Sequence, residues 1–191
     1  MATSLAIRIN RRPEPRSIDC DRRVCCEYFA LNISSSDVIL LAHAAFGVAG
    51  CLAAVWVFVE VLNAQPANVV RIKTAAVVVA ICMAGAWICG GYWYVHFYPP
   101  EKALILKGPW PFAHNLFMET KEHVFFITAI LAFLLPIATR ERLYSNPAAR
   151  KLVLSVAALI AVTGLAVEGA GAMIDHGVKI ALLDASKGSR E

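Results

Sequence analysis

The sequence predicts an all-α integral membrane protein, a polytopic bundle of four transmembrane helices. Of its 191 residues, 59% are hydrophobic and 17% are charged, a more apolar balance than soluble domains of this length usually have. The apolar residues are also gathered into runs close to the roughly 20 residues that a helix needs to cross a hydrocarbon core. The lipid bilayer is therefore the first partner that we expect.

An Arg-rich polar tail, residues 1–37, precedes the first apolar run. It has no apolar stretch of signal-peptide length, so we expect the first helix to direct insertion. We expect the tail to be disordered or to lie apart from the folded unit. Its cysteines, Cys20, Cys25 and Cys26, match neither a zinc-site spacing nor a CxxC pair, which gives a metal site there little support.

The transmembrane domain is predicted at residues 38–176, and a polar C-terminal tail follows at 177–191. Its apolar runs extend from about Val38 to Leu62, Ala75 to Val95, Phe117 to Ala138 and Leu152 to Ile174. Two of the three connectors are short and polar. The middle one, residues 96–116, is longer and rich in aromatic residues and prolines, as is typical of a segment at the membrane interface.

An even number of crossings places both termini and the long connector on one face of the bilayer, here called the site side. The short connectors on the opposite face carry a concentration of basic residues: Arg71, Lys73, Arg140, Arg142, Arg150 and Lys151. The positive-inside rule favours the cytoplasm for such connectors, whereas the arginines of the tail argue the other way. We expect a bacterial inner-membrane protein with its site side in the periplasm. The positive charge comes without the aromatic interleaving of nucleic-acid binders, so we expect no nucleic-acid partner.

All five histidines are predicted to lie toward the site side. His43 lies about two turns into the first helix, and His96 ends the second. The others are His114, His123 and His176. Random placement would commonly divide them between the two faces, so this sidedness predicts a functional site.

Carboxylates accompany the histidines in the third helix, which must begin before its apolar run in order to cross. On that helix Asn115, Glu119 and His123 share one face by their four-residue steps. His114, Met118 and Glu122 share the adjacent face. We expect this broad polar surface to turn away from lipid, with Lys121 as a counter-ion of the neighbouring acids.

Glu168 is the deepest acid, about 10 Å of helical rise inward from Asp175. An unpaired charge at such depth costs on the order of 2–3 kcal/mol on insertion scales. Glu168 therefore needs a partner, and His43 reaches a similar depth.

The first hypothesis for this site is haem b, held between His43 and His123 with His96 as a further candidate, because imidazoles from separate helices can ligate one haem. The architecture is similar to small four-helix membrane cytochromes and haem-bearing membrane anchors. That similarity implies an electron-transfer protein or a redox subunit of a membrane complex rather than a self-sufficient enzyme. The second hypothesis is a non-haem iron, manganese or zinc centre. Its candidate ligands are His43, His123, Glu119, Glu122, Glu168 and His176.

The third hypothesis is a non-catalytic accessory subunit, or a proton or metal relay, with the acids and histidines as stops on a half-channel. A bundle of four helices leaves little room for a substrate pocket of its own. The sequence shows no hydrolase triad and no nucleotide-binding motif. Whether the chain is an enzyme is left open at this point.

Overall fold

The structure, a computed structural model, describes residues 34–188. Within that range the chain is helical and has no β-strand, and four of its helices are long and apolar enough to cross a membrane. The prediction of an all-α bundle with four transmembrane helices is confirmed. Residues 1–33 of the Arg-rich tail, with Cys20, Cys25 and Cys26, lie outside the described residues, whereas the last three residues of the predicted tail, 35–37, belong to the first helix.

The α-helices are α1 (Ser35–Leu62), α2 (Val69–His96), α3 (Tyr98–Lys107), α4 (Glu119–Ala138) and α5 (Pro147–Gly188). A 3-10 turn at Pro66–Asn68 leads into α2. A π-helical segment at Ala113–Met118 continues directly into α4, so the third crossing does begin before its apolar run. The helix α3 lies in the long connector and was not predicted. Its prolines fall in the first turn, where a missing backbone N–H costs no intrahelical bond.

The predicted polar tail at 177–191 continues the helix α5 as far as residue 188. The apolar stripe of α5 continues past the membrane through Ile174 and Ala181, which are both buried. Ile105 of α3 and Ala113 belong to the same apolar cluster as Ile174. A helix of 42 residues is about 63 Å long, roughly twice a hydrocarbon core, so α5 extends beyond the bilayer.

Each transmembrane helix turns an apolar stripe inward at alternating steps of three and four residues. In α4 the buried positions are Thr128, Ala132 and Leu135. In α1 the stripe contains small residues, Gly47, Gly50 and Ala54 among them. This spacing is the one that packs helices at shallow crossing angles, and small residues allow close approach in membranes. The large exposed apolar side chains on the outer faces meet lipid.

Basic residues of the short connectors also stabilise the fold. The guanidinium of Arg150 donates to the carbonyl oxygen of Val61 at 3.0 Å and to that of Leu62, at the end of α1 where carbonyls lack helical partners. Arg71 forms an ion pair with Glu60, with Nε and Oε1 3.0 Å apart. These basic residues thus stabilise the ends of the helices on this face.

Candidate functional site: a polar triad in the bundle interior

His43 projects from α1 toward the backbone of α2. Its Nδ1 lies 2.8 Å from the carbonyl oxygen of Ala86, and a Cβ at Gly90 would come within 2.5 Å of that nitrogen. The absence of a side chain at Gly90 therefore makes room for the imidazole. Because a carbonyl oxygen only accepts hydrogen bonds, this contact assigns the proton to Nδ1 and leaves a lone pair on Nε2 of the neutral ring.

Glu168 lies on α5 against the backbone of α1. A Cβ at Gly47 would overlap the Oε1 atom of Glu168, so glycine at position 47 admits the carboxylate. His43 and Glu168 line the same inner cavity together with Thr128 and Cys51. Its volume of about 10 Å³ is close to the minimum that holds one water molecule.

Lys121 reaches into the bundle from α4. Its Nζ lies 3.1 Å from the position that a Cβ at Gly171 of α5 would occupy. It is close enough to interact electrostatically with both Glu168 and His43. Within residues 34–188 the direct ion pairs are elsewhere, so Lys121 attracts Glu168 across more than 4 Å. We call His43, Lys121 and Glu168 the core triad.

The core triad retains unused hydrogen-bonding capacity. In the described part of the chain, neither the ammonium of Lys121 nor the carboxylate of Glu168 has a hydrogen-bond partner, and Nε2 of His43 is equally free. No fully buried side-chain polar atom there lacks a partner, so these groups face open space in the two cavities. Polar groups in a membrane interior need partners, and water or a ligand can supply them here.

A second, larger pocket of about 280 Å³ lies on the other side of His43. Its polar lining consists of His43, Lys121, Glu122, Trp93 and Tyr94. Exposed residues of three transmembrane helices form its rim: Leu40, Trp87, Gly91 and Phe126. Since the exposed faces of these helices meet lipid, the pocket opens sideways into the bilayer. His43 is the member of the core triad that borders both this outer pocket and the inner cavity.

Aromatic residues cover the bundle on the site side. Tyr98 is 1% exposed, and its hydroxyl oxygen lies 2.9 Å from Nδ1 of His114. The ring of Tyr94 stacks on that of Tyr98 with centroids 5.3 Å apart. Burial of Tyr98 raises the pKa of its phenol. His114 thus has a packing role in this cover.

The other predicted site residues lie on the outside of the bundle. His123 is exposed, and its Nδ1 is 2.6 Å from the carbonyl oxygen of Glu119 on its own helix. Glu119 is exposed as well. His96 stacks on Tyr92 with centroids 4.2 Å apart. His176 meets the edge of Trp110 at 5.2 Å.

The structure therefore brings His43 and Glu168 together and places Glu122 in the adjoining pocket, but it does not bring His123 there. The expectation that the face of Asn115, Glu119 and His123 turns away from lipid is wrong, because these residues are exposed. The rotation of α4 is fixed by its buried stripe at Thr128, Ala132 and Leu135.

Lys121 was predicted as a counter-ion of the neighbouring acids, and its position in the bundle interior was not predicted. Extending the buried stripe of α4 backward from Thr128 in steps of three and four residues leads to Phe125, Lys121, Met118 and His114. These four are half-buried or buried. The apolar stripe of α4 could thus have predicted that Lys121 faces the interior. The polar residues of α4 alone suggested instead that the face of His123 does so.

No group of three or more His, Cys, Asp or Glu residues within 34–188 is placed to hold a metal ion. The proposed ligand set of His43, His123, Glu119, Glu122, Glu168 and His176 is therefore not assembled in this conformation. Comparison of the chain with protein-family models, curated proteins and solved structures finds no match.

Proposed function

We propose that the chain is a membrane subunit with a one-sided proton relay, which moves protons between the outer pocket and Glu168. The observation that carries this proposal is the convergence of His43, Lys121 and Glu168 from three helices, with Nε2 of His43, the ammonium and the carboxylate free of hydrogen-bond partners. Ionisable residues inside a membrane are costly and commonly mark proton or ligand pathways.

Each member of the core triad has a distinct part in the relay. His43 borders both cavities, so its free Nε2 can take a proton from the outer pocket and return it on either side. A water in the inner cavity would connect the imidazole with Glu168 as the inner acceptor. Lys121 attracts the carboxylate form of Glu168 and disfavours an imidazolium nearby, which keeps the proton mobile.

The relay ends near Glu168 because the bundle interior is apolar past the hydrogen-bonded hydroxyls of Thr128 and Thr163. Beyond the inner cavity the core is built from residues such as Val57, Val79, Leu135 and Ile160. Such a core offers a proton neither donors nor acceptors. We therefore expect exchange with one face of the membrane and no conduction across it.

Infrared difference spectroscopy between acid and alkaline pH tests the relay on the purified protein. We expect a carboxyl band that disappears in Glu168→Gln and that titrates at a different pH in His43→Gln. The matched control is His176→Gln, an exposed histidine, which should leave the band unchanged. A carboxyl band that ignores the His43 substitution would contradict the proposal. Proteoliposomes with an internal pH dye should show no added proton flux, and a conducting wild type would refute the one-sided path.

Haem b is the second candidate, favoured by the free Nε2 of His43 and by Gly91, where the missing side chain leaves open space in the outer pocket. Ligation by His43 and His123 together would require α4 to turn, because His123 lies outside. A Soret band that shifts on reduction and is lost in both His43→Ala and His123→Ala would support this candidate over the relay. Loss in His43→Ala alone would indicate a haem held by one imidazole of this chain.

For the setting of the site we propose the bacterial inner membrane with the site side in the periplasm, supported by the basic short connectors. We also propose that other membrane or redox subunits are its partners, because a relay confined to one half of the bilayer needs a source or user of protons. Cysteine accessibility labelling at Glu141→Cys and at Asp184→Cys tests the orientation. Each substitution replaces an exposed residue, and the two lie on opposite faces.

A further inference from the structure

The outer pocket combines a membrane opening with a polar inner end. Its opening is formed by the apolar side chains of Leu40 and Phe126, and its inner end by His43, Lys121 and Glu122. The volume of about 280 Å³ is near the lower limit for small-molecule sites, about 300 Å³. A pocket of this size fits one substituted ring, whose tail can remain in the bilayer.

We propose that this pocket binds a lipid-soluble aromatic diol of the quinol class. The inference rests on the proposed relay, because Nε2 of His43, which takes part in that relay, would also accept a hydrogen bond from one hydroxyl group of the ligand. The carboxylate of Glu122 is the second acceptor. Trp87 and Trp93 offer aromatic faces for the ring, and Gly91 leaves open space in the wall of the pocket.

The charges near the pocket favour a neutral ligand over an anionic one. Glu122 lines the pocket, and Glu168 lies within electrostatic reach of Lys121. The single cation is thus opposed by two acids, while His43 in its neutral form adds an acceptor. A fatty-acid carboxylate would have to approach both acids, whereas a diol donates its hydrogen bonds to the acceptors present.

Gly91 provides a way to fill the pocket without disturbing the helices. A Cβ at Gly91 meets no other atom within 4 Å, so Gly91→Leu places its side chain in the open pocket. Gly169 is the matched control, because a Cβ there also meets nothing within 4 Å and Gly169 does not line the pocket. Both substitutions put leucine at an exposed position of a transmembrane helix.

The experiment measures quenching of tryptophan fluorescence in nanodiscs by a short-tailed ubiquinol kept reduced. We expect saturable binding by the wild type and by Gly169→Leu, and binding at least about tenfold weaker in Gly91→Leu. The wild type should also bind the dimethyl ether of the same quinol at least about tenfold more weakly than the quinol, because the ether cannot donate the two hydrogen bonds.

The outcomes separate this inference from the relay. Identical titrations of wild type and Gly91→Leu would show partitioning into lipid and overturn the proposal, as would equal binding of the quinol and its dimethyl ether. Tighter binding of lauric acid than of the quinol would overturn it in favour of an anionic ligand. If the infrared band of Glu168 still responds to His43→Gln in any of these cases, the relay survives the failure. The ether measurement uses the wild type and remains decisive if Gly91→Leu does not fold.

Discussion

Gly47→Ala tests the contact on which the geometry of the core triad depends. The added methyl would overlap Oε1 of Glu168. Because that oxygen is the far end of a flexible side chain, we expect the carboxylate to move while the helices stay in place. The substitution thus displaces Glu168 without changing its chemistry.

Two opposing terms set the magnitude. Inserting a methyl group into a packed interior costs about 1–3 kcal/mol, while Ala is favoured over Gly within a helix by about 1 kcal/mol. Gly47→Ala should therefore lower the free energy of unfolding by about 0–2 kcal/mol. In a Glu168→Ala background the overlap is absent, and the same substitution should raise the free energy of unfolding by about 1 kcal/mol.

The assay is reversible unfolding in mixed detergent micelles, followed by circular dichroism, for the wild type, both single variants and the double variant. We expect a coupling energy of about 1–3 kcal/mol between positions 47 and 168, within the range for residues in contact. Gly169→Ala, where the added Cβ meets nothing within 4 Å, should show the favourable helix term alone. If Gly47→Ala has the same effect in both backgrounds, the carboxylate does not lie against Gly47, and the argument for the inner cavity fails.

Two further predictions concern the ends of the bundle. Arg150→Ala removes hydrogen bonds to the last carbonyls of α1 and should cost about 1–3 kcal/mol, whereas Arg140→Ala, at an exposed position, should change the free energy of unfolding by less than about 0.5 kcal/mol. On the site side, burial and the nearby Asp175 raise the pKa of Glu101. The folded protein therefore holds the Glu101 proton more tightly than the unfolded chain does. This contribution to stability is fully present below the unfolded-state pKa of about 4.3, and it is lost as the pH rises through the higher folded-state pKa. Glu101→Gln should raise the melting temperature at pH 7 and flatten its decline between pH 4 and 7, while Glu141→Gln should do neither. The sign of the pKa shift would be contradicted if the melting temperature of the wild type rose from pH 4 to 7 and this rise disappeared in Glu101→Gln.

Much of the fold was predictable because bilayer thickness dictates the length of an apolar run. Helical structure outside the membrane was harder to predict, because there packing outweighs polarity. The segment after Ile174 contains Asp175, His176 and Lys179 and looks like a tail. It remains helical because α3 packs against it, so closely that a Cβ at Gly108 would come within 2.8 Å of Cβ of Ala181. A contact between segments so distant along the chain leaves no signature in the local composition.

The candidate site was predictable in its depth and side but not in its membership. Counting residues along each helix gives depth, so His43 and Glu168 could be matched from the sequence. Membership depends on the rotation of each helix, which the buried apolar stripe determines. His123 and Lys121 are two residues apart, about 200° around a helix. Because the rotation of α4 was judged from its polar residues, His123 was predicted in the interior, where the structure has Lys121.

The inward-facing positions also explain why ionisable side chains enter the bundle interior in its site-side half. In the other half the inward positions carry Val57, Val61 and Leu135, whose side chains fill the space between the helices. Toward the site side the inward positions of α1, α2 and α5 include Gly47, Gly90 and Gly171, and each of these glycines faces one member of the core triad. Three long polar side chains can enter a close-packed bundle because three glycines face them. A packing-only explanation of these glycines predicts apolar neighbours at all three positions, whereas each has an ionisable group instead.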